Sequence, residues 1–393
     1  MREVGIVGIG HTKFGKTDQD FLSLLGEAAL LCLDDAGVPC GPEAKIDQVF
    51  VASMGGGMVN HVSGSASAIV DSLNLRPAMA ECIENGPASG ASAIKLGTMA
   101  IASGMCDRVL VIGGEKMGTG KSATDFVATM LHPEAEYAYG LTLTSFAAMF
   151  TRLIMEKNGL EMEDLARVAV KNHANAMHNP CAQLHKEISF EEITQGEERD
   201  KKNPLVADPL RRYDICPMSD GAAAVLLCAM DKAEEFAKKP IRIAGIGQAT
   251  DTHVVANREI PTDLVAVRLA AQRAYQMAGM GPEDMDVAEL HDAFQILEIV
   301  ESEEVGFFPR GEGHLAVRRG DTNIGGKIPV NTSGGLKAKG HPLGATGVSQ
   351  IIEIVRQLRG EADGRQVEGA RAGLAVNFGG FGNNVVATIL SRE

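Results

Sequence analysis

Three short segments gather the side chains best suited to moving protons and holding an oxyanion. They are Leu290-His291-Asp292-Ala293-Phe294, Gly340-His341-Pro342-Leu343-Gly344-Ala345-Thr346-Gly347 and Asn377-Phe378-Gly379-Gly380-Phe381-Gly382. A histidine before proline and glycine sits on a turn. A helix opened at Thr346 or Gly347 would bring its positive N-terminal pole to that imidazole, where an anion or a developing oxyanion is favoured. From spacing alone, His341 is equally a turn histidine bonded to backbone groups. His291 taken alone reads more readily as a core histidine beside a capping Asp292. Asn377 reads equally as a turn residue with positive φ. The seven cysteines (Cys32, Cys40, Cys82, Cys106, Cys181, Cys216 and Cys228) are odd in number and scattered. No pair forms CxxC and no Cys/His group has zinc-ligand spacing, so they read as buried thiols of a reducing compartment, and no metal is expected in this chain.

The elements that must position these groups alternate between short β-type runs and longer helical patterns. Val4 to Ile9, Asp47 to Met54 and Arg108 to Ile112 read as buried strands, and residues 21–36 and 89–103 as helices, the second small enough to pack on both sides. This is an α/β architecture with covered sheets. The stretch 117–210 is rich in Met, His, Asn and charge, shows no strands between its helical segments, and reads as an inserted, mostly helical excursion over the sheet. The α/β pattern resumes at Gly221 to Met230, and Lys238-Lys239-Pro240 reads as a junction.

Beyond that junction the first half returns. Gly8-Ile9-Gly10 recurs as Gly245-Ile246-Gly247, Gly41-Pro42-Glu43 as Gly281-Pro282-Glu283, Ala88-Ser89-Gly90 as Ala345-Thr346-Gly347, and Gly113-Gly114 as Gly379-Gly380. The order is kept, which predicts two similar α/β halves. A site made by such a duplication lies where the halves meet, with both central helices pointing their N-termini at it.

The 393 residues carry 37 Lys+Arg and 51 Asp+Glu, a net charge of −14. That balance repels nucleic acid and anionic membrane as principal partners, though it leaves room for a local basic pocket. Apolar residues at 45% and charged residues at 22% exclude a disordered chain. The N-terminus lacks the pattern of a signal peptide, and no apolar stretch reaches transmembrane length, so a cytoplasmic protein is expected.

The run Ser333 to Gly347 resembles the C-terminal signature of the thiolase superfamily. Leu290-His291-Asp292-Ala293-Phe294 resembles the HDCF motif of its sterol-carrier-protein-type and archaeal acetoacetyl-CoA branch, as do Asp208-Pro209-Leu210 and Cys216-Pro217-Met218-Ser219-Asp220-Gly221. The resemblance spans nearly the whole chain. It implies a duplicated five-layered α/β fold with a helical loop domain over the coenzyme A site. The parts would be 1–116 and 211–238 for the N-terminal half, 117–210 for the loop domain and 239–393 for the C-terminal half. It also implies a homodimer that forms or cleaves a carbon–carbon bond beside an acyl-CoA thioester. By resemblance, His341 would activate a thioester carbonyl, His291 would stabilise the enolate oxygen, and Asn377 would stand where many thiolases carry a catalytic cysteine. Ser333, Gly334, Gly335, His178 and Gly380 would contact CoA, with Lys171, His173 and Asn179 nearby on a helix surface that also reads as solvated. Several members of this branch work with a small zinc-ribbon and OB-fold protein, the benzoylsuccinyl-CoA thiolase of toluene degradation among them, and any zinc would belong to that partner.

The sequence departs from the family at the nucleophile. The usual cysteine precedes the Ala-Ser-Gly that opens the first central helix; here Pro87 precedes Ala88-Ser89-Gly90, and Ala293 replaces the cysteine of HDCF. An acyl-cysteine at the usual position is therefore impossible. Cys82 is expected to be a buried strand thiol rather than a displaced nucleophile. Three readings follow: a thiolase-type enzyme in which CoA attacks directly or Cys82 substitutes, a thiolase-like retro-aldolase, and a non-catalytic CoA-binding scaffold. No tyrosine follows His291 (the four are Tyr137, Tyr139, Tyr213 and Tyr275), which counts against the retro-aldolase. The conjunction of His291, His341 and Asn377 counts against the scaffold.

Overall fold

The computed structural model describes residues 2–118 and 123–392. The opening apolar run is strand β1 (Val4–His11), buried along its length. Helix α1 (Phe21–Asp35) follows, its first turn capped by Asp20, which accepts from Ser23 N. Next come β2 (Gln48–Ala52), α2 (Ser65–Ser72), β3 (Met79–Ile83), α3 (Ser89–Ala102) and β4 (Arg108–Glu115). The excursion carries α4 (Ala123–Ala128), α5 (Leu143–Asn158), α6 (Met162–Ala176), α7 (Phe190–Thr194) and α8 (Gly196–Lys202). It is not wholly helical. Leu205–Ala207 (β5) and Leu210–Arg211 (β6) pair as a short ribbon that the sequence pattern did not reveal.

Strand β7 (Gly221–Ala229) returns the chain to the sheet. The second half is β8 (Ile241–Thr250), α9 (Val265–Ala278), β9 (Val287–Glu289), α10 (Gln295–Glu304), α11 (Gly313–Arg319), α12 (Leu343–Arg359), β10 (Ala372–Gly379) and β11 (Asn384–Ser391).

The strands lie in the order β3-β2-β4-β7-β1-β8-β11-β10-β9. Outward from the middle the two halves match. The first strand of each half (β1, β8) pairs antiparallel with its last (β7, β11), which pairs antiparallel with β4 or β10, and these pair parallel with β2 or β9. The place of β3 is taken in the second half by Val330, which bridges Ala288 in parallel. Among the described residues the strands of the two halves pair with each other at Gly5 with Arg242 and Ile6 with Ile241. So short a seam lets both halves close on a shared helical layer. Helix α12 packs beside α3 and touches β4 and β7 of one half and β9 and β10 of the other. Helix α1 covers the outer face of β1 and β7, and α9 that of β8 and β11. The result is five layers, α-β-α-β-α.

The repeated glycines have a steric cause. A Cβ at Gly10 would overlap the carbonyl oxygen of Ala28 in α1, and one at Gly247 that of Ala270 in α9. In each half the outer helix rests directly on strand backbone, and only glycine permits the approach. Gly41-Pro42-Glu43 and Gly281-Pro282-Glu283 likewise open equivalent 3-10 turns. The central layer is held by Ile94 and Ile101 of α3 and Val348, Ile351 and Val355 of α12, against Val109 and Val111 of β4 and Ala375 of β10. Each large aliphatic side chain so buried contributes about 1.5–3 kcal/mol. No helix among the described residues is long and apolar enough to cross a membrane.

Candidate active site

The N-termini of α3 and α12 meet in the central layer. A Cβ on Gly90 would lie 2.8 Å from the Gly344 carbonyl oxygen, and one on Gly347 would lie 2.5 Å from Ala91 N and overlap Asn377 Oδ1. Helix α12 begins at Leu343, with Pro342 at its cap, ahead of the start expected at Thr346 or Gly347. Glu115, at the end of β4, fixes the approach. Its buried carboxylate accepts from Met54 N (3.0 Å), Gly55 N (2.8 Å), Ser53 Oγ (3.0 Å) and Gly344 N (3.1 Å). Burial pushes its pKa up to about 6 against those donors.

His291 lies between β9 and α10. Its backbone N–H donates to Glu301 Oε2 at 2.9 Å, and its ring stacks on Phe378 with centres 5.1 Å apart and planes 7° from parallel. The Asn377 amide nitrogen stands 3.2 Å and Phe378 N 3.4 Å from His291 Nδ1. Two N–H donors at Nδ1 make that nitrogen the acceptor, so the ring proton sits on Nε2. Asn377 is a residue of β10 paired opposite Val386, not a turn residue, and its Oδ1 is buried without a partner. Asp292 caps no helix of its own segment. It accepts from Leu336 N at 2.6 Å and from Asn172 Nδ2 at 2.8 Å.

His341 has the opposite arrangement. Its N–H donates to Ser219 Oγ at 2.9 Å, and its Nδ1 lies 2.7 Å from Thr346 Oγ1, whose hydroxyl donates to Pro342 O at 3.0 Å. With that hydroxyl proton committed, Nδ1 is the donor to Thr346 and Nε2 carries the lone pair. The two imidazoles stand edge to face, centres 5.0 Å apart. Burial, with Lys339 adding a smaller push, lowers His341 to about 3. Burial, then His341, lowers His291 well below the ordinary histidine value. Both rings are therefore neutral at working pH, one a donor and one an acceptor.

These rings face a cavity of about 190 Å³, lined also by Pro87, Cys216, Ala293 and Gly380 and by apolar Met117, Met130, Leu143, Phe294 and Phe381. Pro87 brings neither a thiol nor an N–H. Cys216 supplies a thiol, but burial pushes its pKa up to about 12, which makes it a poor nucleophile. The sequence singled out neither Cys216 for this wall nor Thr346, Glu115 and Ser219 as supports. Ser219 and Cys216 were visible only inside a motif, and Glu115 only as the residue after a glycine pair.

The remaining candidates lie elsewhere. Cys82 is exposed on edge strand β3, not buried. Its sulfur is 3.3 Å from Ser65 Oγ and accepts from Ala66 N at 3.4 Å, and it does not line the cavity. Ser333 is fully buried, donating to Glu289 Oε2 at 2.5 Å, while Gly334 and Gly335 adopt positive φ so that the turn passes under α6 and around Asp292. Of the proposed CoA contacts only Gly380 borders the cavity. His178 is exposed and packs against Gly364. Lys171, His173 and Asn179 are buried rather than solvated. Lys171 pairs with Glu298 at 3.0 Å, His173 Nδ1 lies 2.7 Å from Lys186 O, and Asn179 donates to Ser333 O at 2.8 Å. Among the described residues no three His, Cys, Asp or Glu side chains are grouped as a metal site.

Residues 4–231 match the thiolase N-terminal domain family, and residues 247–392 the thiolase C-terminal domain-like family. The chain is 42% identical over 393 residues, all of both proteins, to an acetyl-CoA acetyltransferase of Methanothermobacter thermautotrophicus. It is 35% identical to sterol carrier protein 2 of Bos taurus, over 98% of this chain and 72% of that one. It is 34% identical to the benzoylsuccinyl-CoA thiolase subunit BbsB of Thauera aromatica, over 93% of this chain and 92% of that one. Among solved structures, the Ltp2-ChsH2(DUF35) aldolase superposes with a TM-score of 0.83 at 25% identity, covering 99% of this chain and 97% of that chain. Human mitochondrial 3-ketoacyl-CoA thiolase superposes with a TM-score of 0.71 at 20% identity, covering 99% and 98%.

Proposed function

The chain belongs to the thiolase family, and we propose that it forms or cleaves the carbon–carbon bond beside an acyl-CoA thioester without a cysteine-bound acyl intermediate. One observation carries this reading. Two neutral imidazoles of opposite hydrogen-bonding sense share a cavity in which Pro87 replaces the customary thiol and Cys216 is held protonated.

In thiolysis of a 3-oxoacyl-CoA, the sulfur of free CoA adds to C3 as its proton passes to His341 Nε2. The former carbonyl oxygen takes up the negative charge. Collapse of that tetrahedral oxyanion breaks the C2–C3 bond and sends its electron pair into the thioester enolate. His291 Nε2–H donates to the enolate oxygen, where a donor fixed in advance is worth most. The His341 imidazolium then protonates C2, giving two acyl-CoA products. Burial disfavours that imidazolium, so the proton is passed on rather than kept. Condensation is the same path reversed. His291, His341 and Asn377 act directly or through one another, Gly380 borders the reacting carbons, and the excursion of residues 117–210 covers CoA.

A second reading is favoured by Pro87 itself: retro-aldol cleavage of a 3-hydroxyacyl-CoA needs no thiol. His341 Nε2 would take the hydroxyl proton and His291 would hold the same enolate. Incubating the full chain with each substrate class distinguishes the two. The thiolase reading expects loss of 3-oxoacyl-CoA only when CoA is added. Release of a free aldehyde or ketone from 3-hydroxyacyl-CoA without CoA would favour the aldolase instead.

For assembly we infer a homodimer in the cytoplasm through β3, whose outer edge pairs with no other strand among the described residues. A small zinc-ribbon and OB-fold protein is the further partner we propose. The support is nominal but specific: one relative is named as a subunit, and the aldolase is named as an assembly with a DUF35 component. Zinc, where present, would belong to that partner.

A further inference from the structure

At the opposite end of α12 from His341, the seam between the halves opens into a groove of about 770 Å³. Helix α12 has 17 residues, so at about 1.5 Å per residue the groove is roughly 25 Å from the imidazoles. Lys238, Lys239, Arg242, Arg359, Arg371 and Arg392 line it, with Glu361 as the single carboxylate. For a chain of net charge −14, this is a local reversal of sign. Glu3, Asp35 and Glu361 engage Arg242, Arg359 and Lys238. The side chains of Lys239, Arg371 and Arg392 pair with no carboxylate among the described residues: Asp286 beside the groove takes the backbone N–H of Arg371, at 2.7 Å, and the Arg392 guanidinium reaches only the Leu358 carbonyl, at 3.4 Å.

Arg359 supplies a second, independent observation. Its side chain is 4% exposed and holds Asp35 at 2.9 Å through Nη1, yet Nε and Nη2 are buried without any acceptor. A buried guanidinium N–H left unpaired is costly, and an acceptor at the groove wall would relieve it. Complementing the negative pole of α12 explains Arg359 itself. It does not explain Lys239, Arg371 and Arg392, which arrive from the junction, the start of β10 and the end of β11.

We propose that this groove binds a small anion carrying two or more phosphate groups, at a site separate from the acyl-CoA cavity. Guanidinium forks match phosphate oxygens, and the uncompensated cations balance a di- or triphosphate better than a single carboxylate. Pro240 and Ile241 add an apolar wall on which a nucleoside could rest. Inorganic pyrophosphate and ADP are thus the two sources of the same chemistry.

The test is equilibrium dialysis of the full chain against radiolabelled pyrophosphate and, separately, ADP, at an ionic strength fixed with sodium chloride. The expected result is saturable binding at one site, weakened roughly tenfold or more in the Arg371→Ala, Arg392→Ala double variant. Both residues are exposed, so the fold should survive, and acyl-CoA turnover without either probe should be unchanged. Equal affinity for the two probes assigns recognition to the phosphates, and tighter ADP adds the nucleoside; either supports the site. Absent binding, binding unchanged in the double variant, or equal displacement by sulfate at the same ionic strength overturns it.

Discussion

Asn377 donates to His291 Nδ1 across 3.2 Å, and this contact, with Phe378 N at 3.4 Å, dictates which nitrogen of His291 faces the cavity as a donor. Without it the ring could turn a lone pair toward an enolate oxygen, which repels rather than stabilises. Asn377→Asp replaces the donor with a carboxylate that draws the proton to Nδ1. Turnover should fall roughly 10²- to 10⁴-fold, as expected for a histidine held in the wrong tautomer. Nitrogen-15 chemical shifts should report protonation moved to Nδ1. Full activity, or an unmoved tautomer, would reject the role.

His341→Ala should abolish most turnover, by roughly 10²–10⁴, with the fold retained, because the ring supplies a proton acceptor and no large packing area. Thr346→Val removes the hydroxyl that receives Nδ1–H at 2.7 Å. It should lower kcat more than it changes KM. Circular dichroism and a steady-state assay check both variants, and unchanged kcat in either contradicts the assignment.

Cys82→Ser should leave activity within about twofold of the parent, since the sulfur lines no part of the cavity and serine is close to it in size, so the β3 edge proposed as the dimer seam keeps its shape. The sulfur sits on exposed β3 beside Ser65 and Ala66, outside the cavity. A collapse of turnover in this variant would restore the displaced-nucleophile idea.

Burial lowers His341 to about 3 and His173 to about 4 from 6.5. Below pH 6.5 the unfolded chain takes up a proton on each while the folded chain does not. Their stabilisation is therefore complete above pH 6.5 and is lost as pH falls toward those lower values, by at most about 1.4 kcal/mol per pH unit per group. Asp292, raised to about 7, and Asp214, raised to about 6, have the opposite sign: their stabilisation is full below the ordinary carboxylate value and lost as pH rises through 6 to 7. Comparison with His341→Asn isolates one group. Between pH 7 and pH 4 the parent should lose about 2–3 kcal/mol relative to that variant in denaturant melts. A difference independent of pH would contradict the burial argument.

The duplication was legible because its cause is local. Gly10 and Gly247 mark helices lying on strand backbone, and that requirement writes itself into sequence twice. Pro87 was legible too, since a missing nucleophile needs no coordinates. Burial was not legible. Lys171, His173 and Asn179 look like a solvated helix face, yet α6 packs on the 335–339 turn and each of the three side chains finds at least one partner inside. Cys82 looked interior, yet β3 ends the sheet and exposes it. Asn377 read as a turn residue because glycines follow it, but pairing with β11 holds it in a strand. In each case the deciding partner is distant in the chain.

The central claim is bond exchange next to a thioester with no acyl group ever resting on this protein. Intact-mass spectrometry of the parent and of Pro87→Cys, quenched during turnover with a 3-oxoacyl-CoA, tests it directly. The account predicts an unmodified parent mass and an acyl adduct only where the thiol has been put back. A stoichiometric acyl adduct on the parent chain, at Cys216, Cys82 or any other residue, would contradict it.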